Sequence, residues 1–124
     1  VFDNIALPLR IEGYPYKDII RLVKESLLKI DLSGAEALYP LELSGGEQQR
    51  ICIARALVKN PVIILADEPT GNLDPNISDE ILDLLELCTN NGAAVLMSTH
   101  NFPLIKPRNK KFIELNRGRM VEWF

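Results

Sequence analysis

Cysteine is scarce in this chain of 124 residues: there are two, Cys52 and Cys88, far apart in the sequence. Their separation fits neither a disulfide framework nor a zinc site, and both lie in apolar runs. Both are therefore expected to be buried, reduced thiols. An excess of charge of one sign is also missing. Fourteen Lys and Arg stand against 17 Asp and Glu, a net charge of -3, so no basic surface for a nucleic-acid partner is expected. No apolar run approaches the roughly 20 residues that span a bilayer, and no signal peptide opens the chain. Any link to a membrane is expected to come through a partner. The chain starts with Val1 rather than Met and in mid-pattern, as if a segment upstream had been removed.

What is present reads as one globular domain: 47% of the residues are hydrophobic and 25% charged, a balance that can bury a core. Residues 2–11 form a short apolar stretch expected to be a brief helix, disturbed by Pro8 and ended by Gly13. From Tyr16 to Ile30 the apolar residues Ile19, Ile20, Val23, Leu27, Leu28 and Ile30 recur at helical spacing, with Lys17, Arg21, Lys24 and Lys29 opposite. Residues 32–43, with Gly34 and Pro40, read as a loop holding one helical turn. Ser44 opens a helix whose inward stripe is Ile51, Ile53, Ala54, Leu57 and Val58, stopped at Asn60-Pro61.

Val62 to Ala66 is a continuous apolar run of strand length, the pattern of a strand covered on both faces. Pro75 to Thr89 is an amphipathic helix with Ile77, Ile81, Leu84, Leu85 and Cys88 inward, ended at Asn90-Asn91-Gly92. Ala93 to Ser98 reads as a second buried strand and Phe102 to Ile105 as a short helix. Residues 111–115 and 119–123 read as a hairpin turned at Asn116-Arg117-Gly118. A helix between two buried strands implies a right-handed βαβ unit and a parallel sheet. With only two strands in that unit, one side of the sheet is expected to lie open.

Four local patterns carry chemistry. In Leu43-Ser44-Gly45-Gly46-Glu47-Gln48-Gln49, Ser44 and Glu47 make a capping box. The two glycines allow an anion to approach the free N–H groups at the helix's positive end. A bare S-x-x-E is an ordinary capped helix; the adjacent glycines and glutamines set this one apart. The run Val62-Ile-Ile-Leu-Ala-Asp67-Glu68-Pro69 ends a buried strand in two carboxylates, at the sheet edge where ligands of open parallel sheets bind. One carboxylate is suited to Mg²⁺, usually through water, and its neighbour to orienting or deprotonating a water. Alone, the pair would also read as an acidic turn. Thr70-Gly71-Asn72-Leu73-Asp74 is a turn with Asp74 capping a helix whose first residue is Pro75, which alone is a cap and no more. His100, the one histidine, ends the second strand, where an imidazole can donate to a phosphate oxygen or serve structure only. Together, the carboxylates, turn and histidine fall at one sheet edge, and the capped helix supplies an anion clamp. These are the parts that phosphoryl transfer needs.

At these residues the chain resembles the ATP-binding-cassette (ABC) ATPases over essentially its whole length. Leu43 to Gln48 is similar to the family signature, Val62 to Glu68 to its Walker B strand, Gly71 to Asp74 to its D-loop and His100 to its H-loop. The opening residues 1–9 resemble the segment just after the family's Q-loop. Gly71 to Asp74 and the stretch around His100 resemble the branch of cell-division, lipoprotein-releasing and macrolide-exporting ATPases, the cell-division members most. Many members carry Asp after the histidine; here it is Asn101.

The resemblance implies an α/β fold, a partial P-loop NTPase-like domain. Residues 1–60 would be a helical subdomain with the signature, and residues 61–124 the C-terminal part of a RecA-like core with a terminal β-hairpin. It implies ATP and Mg²⁺ as ligands. Asp67 would support Mg²⁺, Glu68 would be the general base and His100 would contact the γ-phosphate. Ser44, Gly45 and Gly46, in a nucleotide-binding set with Glu47, would contact ATP held by an opposite subunit, and Asp74 would help couple the two sites. The implied partners are a second ATPase subunit, arranged head to tail, and an integral membrane permease-type subunit. That places the protein in the cytoplasm, peripheral on the inner face of the membrane. No G-x-x-x-x-G-K-[ST] loop occurs in the sequence, and this loop, the adenine-stacking aromatic and the Q-loop glutamine are expected upstream. The chain alone is thus expected neither to hold ATP tightly nor to hydrolyse it, and to self-associate or be partly disordered. The rival readings are a soluble DNA-repair or chromosome-structure ATPase, which would carry flanking coiled coils not seen here, and a non-catalytic interaction module.

Overall fold

The computed structural model describes residues 1–123. Helix α1 spans Phe2–Ile11 with Pro8 inside it. It closes at Gly13, whose φ of +76° lets Tyr14 N–H reach back to the Leu9 carbonyl at 3.1 Å. Helix α2 spans Tyr16–Lys29. Two 3-10 turns, Ala35–Ala37 and Pro40–Glu42, occupy the following loop, one more than expected. Helix α3 spans Gly45–Leu57. Ile5, Leu9, Val23, Leu27, Ile51 and Ala54 are buried in one apolar cluster that joins the three helices. On α2, Leu28 points outward at 67% exposure, against expectation, while Leu22 packs on the cluster instead. The face set by Ile19, Val23 and Leu27 is narrower than the run of apolar letters suggests.

Strand β1 (Ile63–Asp67), helix α4 (Pro75–Asn90) and strand β2 (Ala94–Ser98) follow. The two strands pair in parallel, with Ile63 opposite Ala94 and Asp67 opposite Ser98. A second cluster forms where α4 meets the sheet: Ile81, Leu82 and Leu85 bury against Ala66, Val95 and Met97, and Ile53 of α3 joins them. Only this face of the sheet is covered among the described residues. Ile64 is buried, but Ile63, Leu65 and Leu96 are 52%, 73% and 64% exposed. Among the described residues the expectation of strands buried on both faces is met only on the face that α4 covers, and the other side lies open, as a unit of two strands leads one to expect. The cysteines divide as well. Cys88 is buried with its thiol donating to the Leu84 carbonyl at 3.1 Å, whereas Cys52 is exposed on α3.

After β2 come the short helix α5 (Phe102–Ile105) and a 3-10 turn, Lys106–Arg108. Arg108 anchors this segment to α4. Its guanidinium donates to Asp83 at 2.7 Å, to Glu86 at 3.2 Å, and to the carboxylate and carbonyl of Asp79 at 2.9 and 3.1 Å. Strands β3 (Phe112–Asn116) and β4 (Arg119–Trp123) close the described chain as an antiparallel hairpin. Arg117 and Gly118 hold φ of +47° and +76°, the left-handed pair that a two-residue turn needs to match strand twist.

Candidate functional site

The C-terminal edge of the parallel pair gathers Asp67, Glu68 and His100. Register places Asp67 opposite Ser98, and the Ser98 hydroxyl donates to Asp67 Oδ1. That leaves the other carboxylate oxygen of an exposed side chain without a hydrogen-bond partner among the described residues. Glu68 N–H donates to the Ser98 carbonyl at 3.0 Å, so the ladder runs one residue past the strand. The backbone then turns sharply, with Glu68 at φ +45°, a left-handed conformation that costs a non-glycine residue about 1–3 kcal/mol. Gly71 N–H closes the turn on the Glu68 carbonyl at 3.0 Å. A Cβ at Gly71 would sit 3.2 Å from that oxygen, so glycine here serves close approach.

Glu68 is tied to His100. Its Oε1 accepts the His100 backbone N–H at 3.0 Å and faces imidazole Nδ1 at 2.8 Å. Two contacts on one oxygen fix the carboxylate's direction while the imidazole stays 86% exposed. Sequence reading missed Ser98, Asp67's partner. Its signal lay in the register of two five-residue strands, which becomes readable only once their alignment is known.

The capped helix forms a second group. Ser44 caps α3: its Oγ accepts Glu47 N–H at 3.3 Å, and Glu47 Oε2 accepts Ser44 N–H at 2.8 Å and the hydroxyl at 2.7 Å. The hydroxyl and amide of Ser44 hold the Glu47 carboxyl below its usual range. Gln48 braces the approach by donating to the carbonyls of Pro40 and Leu43 at 2.9 and 3.1 Å. Ser44 and Gly45 are exposed, and Gly46 is buried. A cavity of about 260 Å³ opens at this helix end, lined in part by Asp31, Ser44, Glu47, Arg50 and Ile77.

Asp74 caps α4, its Oδ1 accepting the N–H groups of Asn76 and Ile77 at 3.0 and 3.1 Å. The starts of α3 and α4 touch: Cβ atoms built on Gly45 and Gly46 would meet Leu73 and Ile77. Ser44–Glu47 and Asp74 therefore form one block, and Asp67, Glu68 and His100 another. Among the described residues no hydrogen bond joins the two blocks.

Among the described residues no group of three or more His, Cys, Asp or Glu could hold a metal. One exposed carboxylate oriented by a serine still suits Mg²⁺, which keeps several waters and takes one or two carboxylates beside a substrate's phosphates.

Comparison with known proteins gives this arrangement a context. The ABC transporter family profile matches residues 15–71. The cell division ATP-binding protein FtsE of Mycobacterium tuberculosis is 48% identical over 121 residues, covering 98% of this chain and 53% of that protein. FtsE of Escherichia coli K12 is 47% identical over 120 residues (97% and 54%), and that of Bacillus subtilis 42% over 121 (98% and 53%). A solved structure described as an inward-facing, metal-chelate type ABC transporter superposes with a TM-score of 0.88 at 26% identity, covering 97% of this chain and 50% of that one. The chain spans about half the length of the curated relatives it matches.

Proposed function

The chain belongs to the ABC transporter family, and on that premise we propose that it is part of the ATP-hydrolysing, nucleotide-binding subunit of an ABC transporter-type complex, FtsE-like and serving cell division. The observation that carries the reading is the Glu68–His100 contact beside Asp67, at the edge where a parallel sheet presents its ligands. A strand-tip carboxylate held in a fixed direction can accept a proton from an attacking water. His100 both aims Glu68 and, with its imidazole exposed, can reach a terminal phosphate.

In the same reading Asp67, oriented by Ser98, would hold Mg²⁺, which when bound neutralises charge on the phosphates. Ser44, Gly45 and Gly46 would meet the γ-phosphate of ATP held by a second copy arranged head to tail, with Glu47 completing the nucleotide-binding set by holding the Ser44 cap. Asp74 would couple the two sites. Residues 1–60 would be the helical subdomain and 61–124 the C-terminal part of the ATPase core. No helix among the described residues is long and apolar enough to cross a membrane. The membrane link would run through a permease-type subunit, FtsX-like or related, with this protein on the cytoplasmic face. A lipoprotein-releasing or efflux ATPase is the alternative within the same branch.

The test is Glu68→Gln in the full-length protein. Glutamine keeps an acceptor for His100 N–H and removes the base. Turnover of MgATP is expected to fall by about 10²–10⁴-fold, with MgATP still bound. Turnover within a few fold of the parent refutes the role of Glu68. A parent protein that binds MgATP without turning it over identifies the non-catalytic module instead.

A further inference from the structure

We infer that Gly46 and Ile77 form a steric joint that makes the signature helix α3 and the D-loop helix α4 a single moving part, with Ile77 a positioning residue for the signature. The inference rests on the function proposed above, and its core is a difference between two adjacent glycines. Neither Gly45 nor Gly46 has positive φ, so backbone conformation requires glycine at neither. A Cβ on Gly45 would meet only Leu73 Cδ2, at 3.5 Å, an ordinary contact. A Cβ on Gly46 would lie 2.6 Å from Ile77 Cγ2 and 3.8 Å from Ile77 Cβ. That overlap cannot be relieved cheaply, because a β-branched side chain in a helix has essentially one χ1 rotamer. Gly46 is therefore glycine because α4 presses on it.

The contacts on either side extend the joint. Arg50, one turn along α3, pairs with Glu80 of α4, and Ile53 packs into the cluster of Ile81 and Leu85. In the other direction the Ile77 N–H is held by Asp74. A continuous path thus runs from the Ser44 cap through Gly46 and Ile77 to Asp74. The two features proposed to face the opposite subunit cannot then shift separately. A displacement of α4 at Asp74 carries Ser44 with it.

The experiment uses the full-length protein in four forms: G46A, I77A, G46A/I77A and G46A/I77V. For each, kcat and KM for MgATP hydrolysis and the thermal midpoint are measured. Misplacing the signature should lower kcat of G46A by about ten- to a hundredfold, with KM within about twofold. Alanine at 77 removes the Cγ2 that collides, so G46A/I77A should recover to within about threefold of I77A alone. Valine keeps both γ carbons, so G46A/I77V should stay as low as G46A. Recovery in the alanine but not the valine double variant is a pattern that general destabilisation would not give.

The joint is refuted if G46A keeps parental kcat, or if G46A/I77A remains as low as G46A, as it would were the new methyl obstructing the phosphate directly. If G46A does not fold, soluble yield of G46A/I77A becomes the readout: recovery supports the joint and continued failure overturns it. Should the parent show no MgATP turnover, the proposed function fails. The thermal midpoints then still report on the joint, through rescue of G46A by I77A and not by I77V.

Discussion

Replacing Arg108 by Met should cost about 2 kcal/mol of stability and should do so mainly at low salt. Methionine retains much of the apolar stem and removes the guanidinium. That group makes four hydrogen bonds to three residues of α4, and its own side chain is only 16% exposed. Burial alone would lower its pKa, but Asp79, Asp83 and Glu86 overcome this and hold it above its already high ordinary value. The carboxylates are 58%, 72% and 37% exposed, so each pair is discounted to about 0.2–1 kcal/mol. Three pairs, with a few tenths of a kcal/mol from the like charges left at spacing i, i+4, bring the total near 2 kcal/mol. For the full-length protein that corresponds to a drop in thermal midpoint of about 4–8 °C. A scanning fluorimetry series at low and high ionic strength measures it, and the gap should narrow with salt as the pairs are screened. A change under about 1 °C, or a gap that salt leaves untouched, refutes the view that this clamp fastens the segment after His100 to α4.

Two further outcomes follow from the geometry. The Glu47 carboxyl is held below its ordinary value of 4.5 by Ser44. Its contribution to stability is therefore complete above that value and is lost as pH falls through the lower folded-state value. The midpoint of the parent should drop towards that of Glu47→Gln on acidification from about pH 6 to about pH 3, whereas parallel curves would refute the carboxylate's part in the cap. The 124-residue chain by itself, which contains no G-x-x-x-x-G-K-[ST] run, should show no MgATP affinity in the micromolar range by titration calorimetry; binding that tight would contradict the assignment of nucleotide contacts to the rest of the protein.

What could be read from the sequence was whatever a local pattern decides. Helical spacing located α2, α3 and α4, and the caps Ser44 and Asp74 marked the starts of α3 and α4, because a short polar side chain can satisfy free N–H groups there. The Arg117-Gly118 turn was legible for the same reason. The clustering of Glu68 and His100 followed from parallel strands that end at one edge.

What depended on neighbours distant in sequence was not legible. The run 62–66 has the composition of a strand covered twice, but coverage is set by what packs on it, and Ile63 and Leu65 lie bare. Cys52 sits in an apolar run yet faces out, because the buried face of α3 passes through Ile51, Ile53 and Ala54. Arg108 lies more than 20 positions from each of its partners, a separation with no period to detect. Gly46 read as room for an approaching phosphate, whereas Ile77 standing where its Cβ would lie had no signal in the sequence.

The most direct test of the account is the size of the full-length Glu68→Gln protein on a sizing column with and without MgATP. A monomer is expected to become a dimer when MgATP is added, and that dimer to be lost when Ser44→Arg is introduced at the α3 cap. A size unchanged by MgATP, or a Ser44→Arg protein that dimerises equally well, would contradict it.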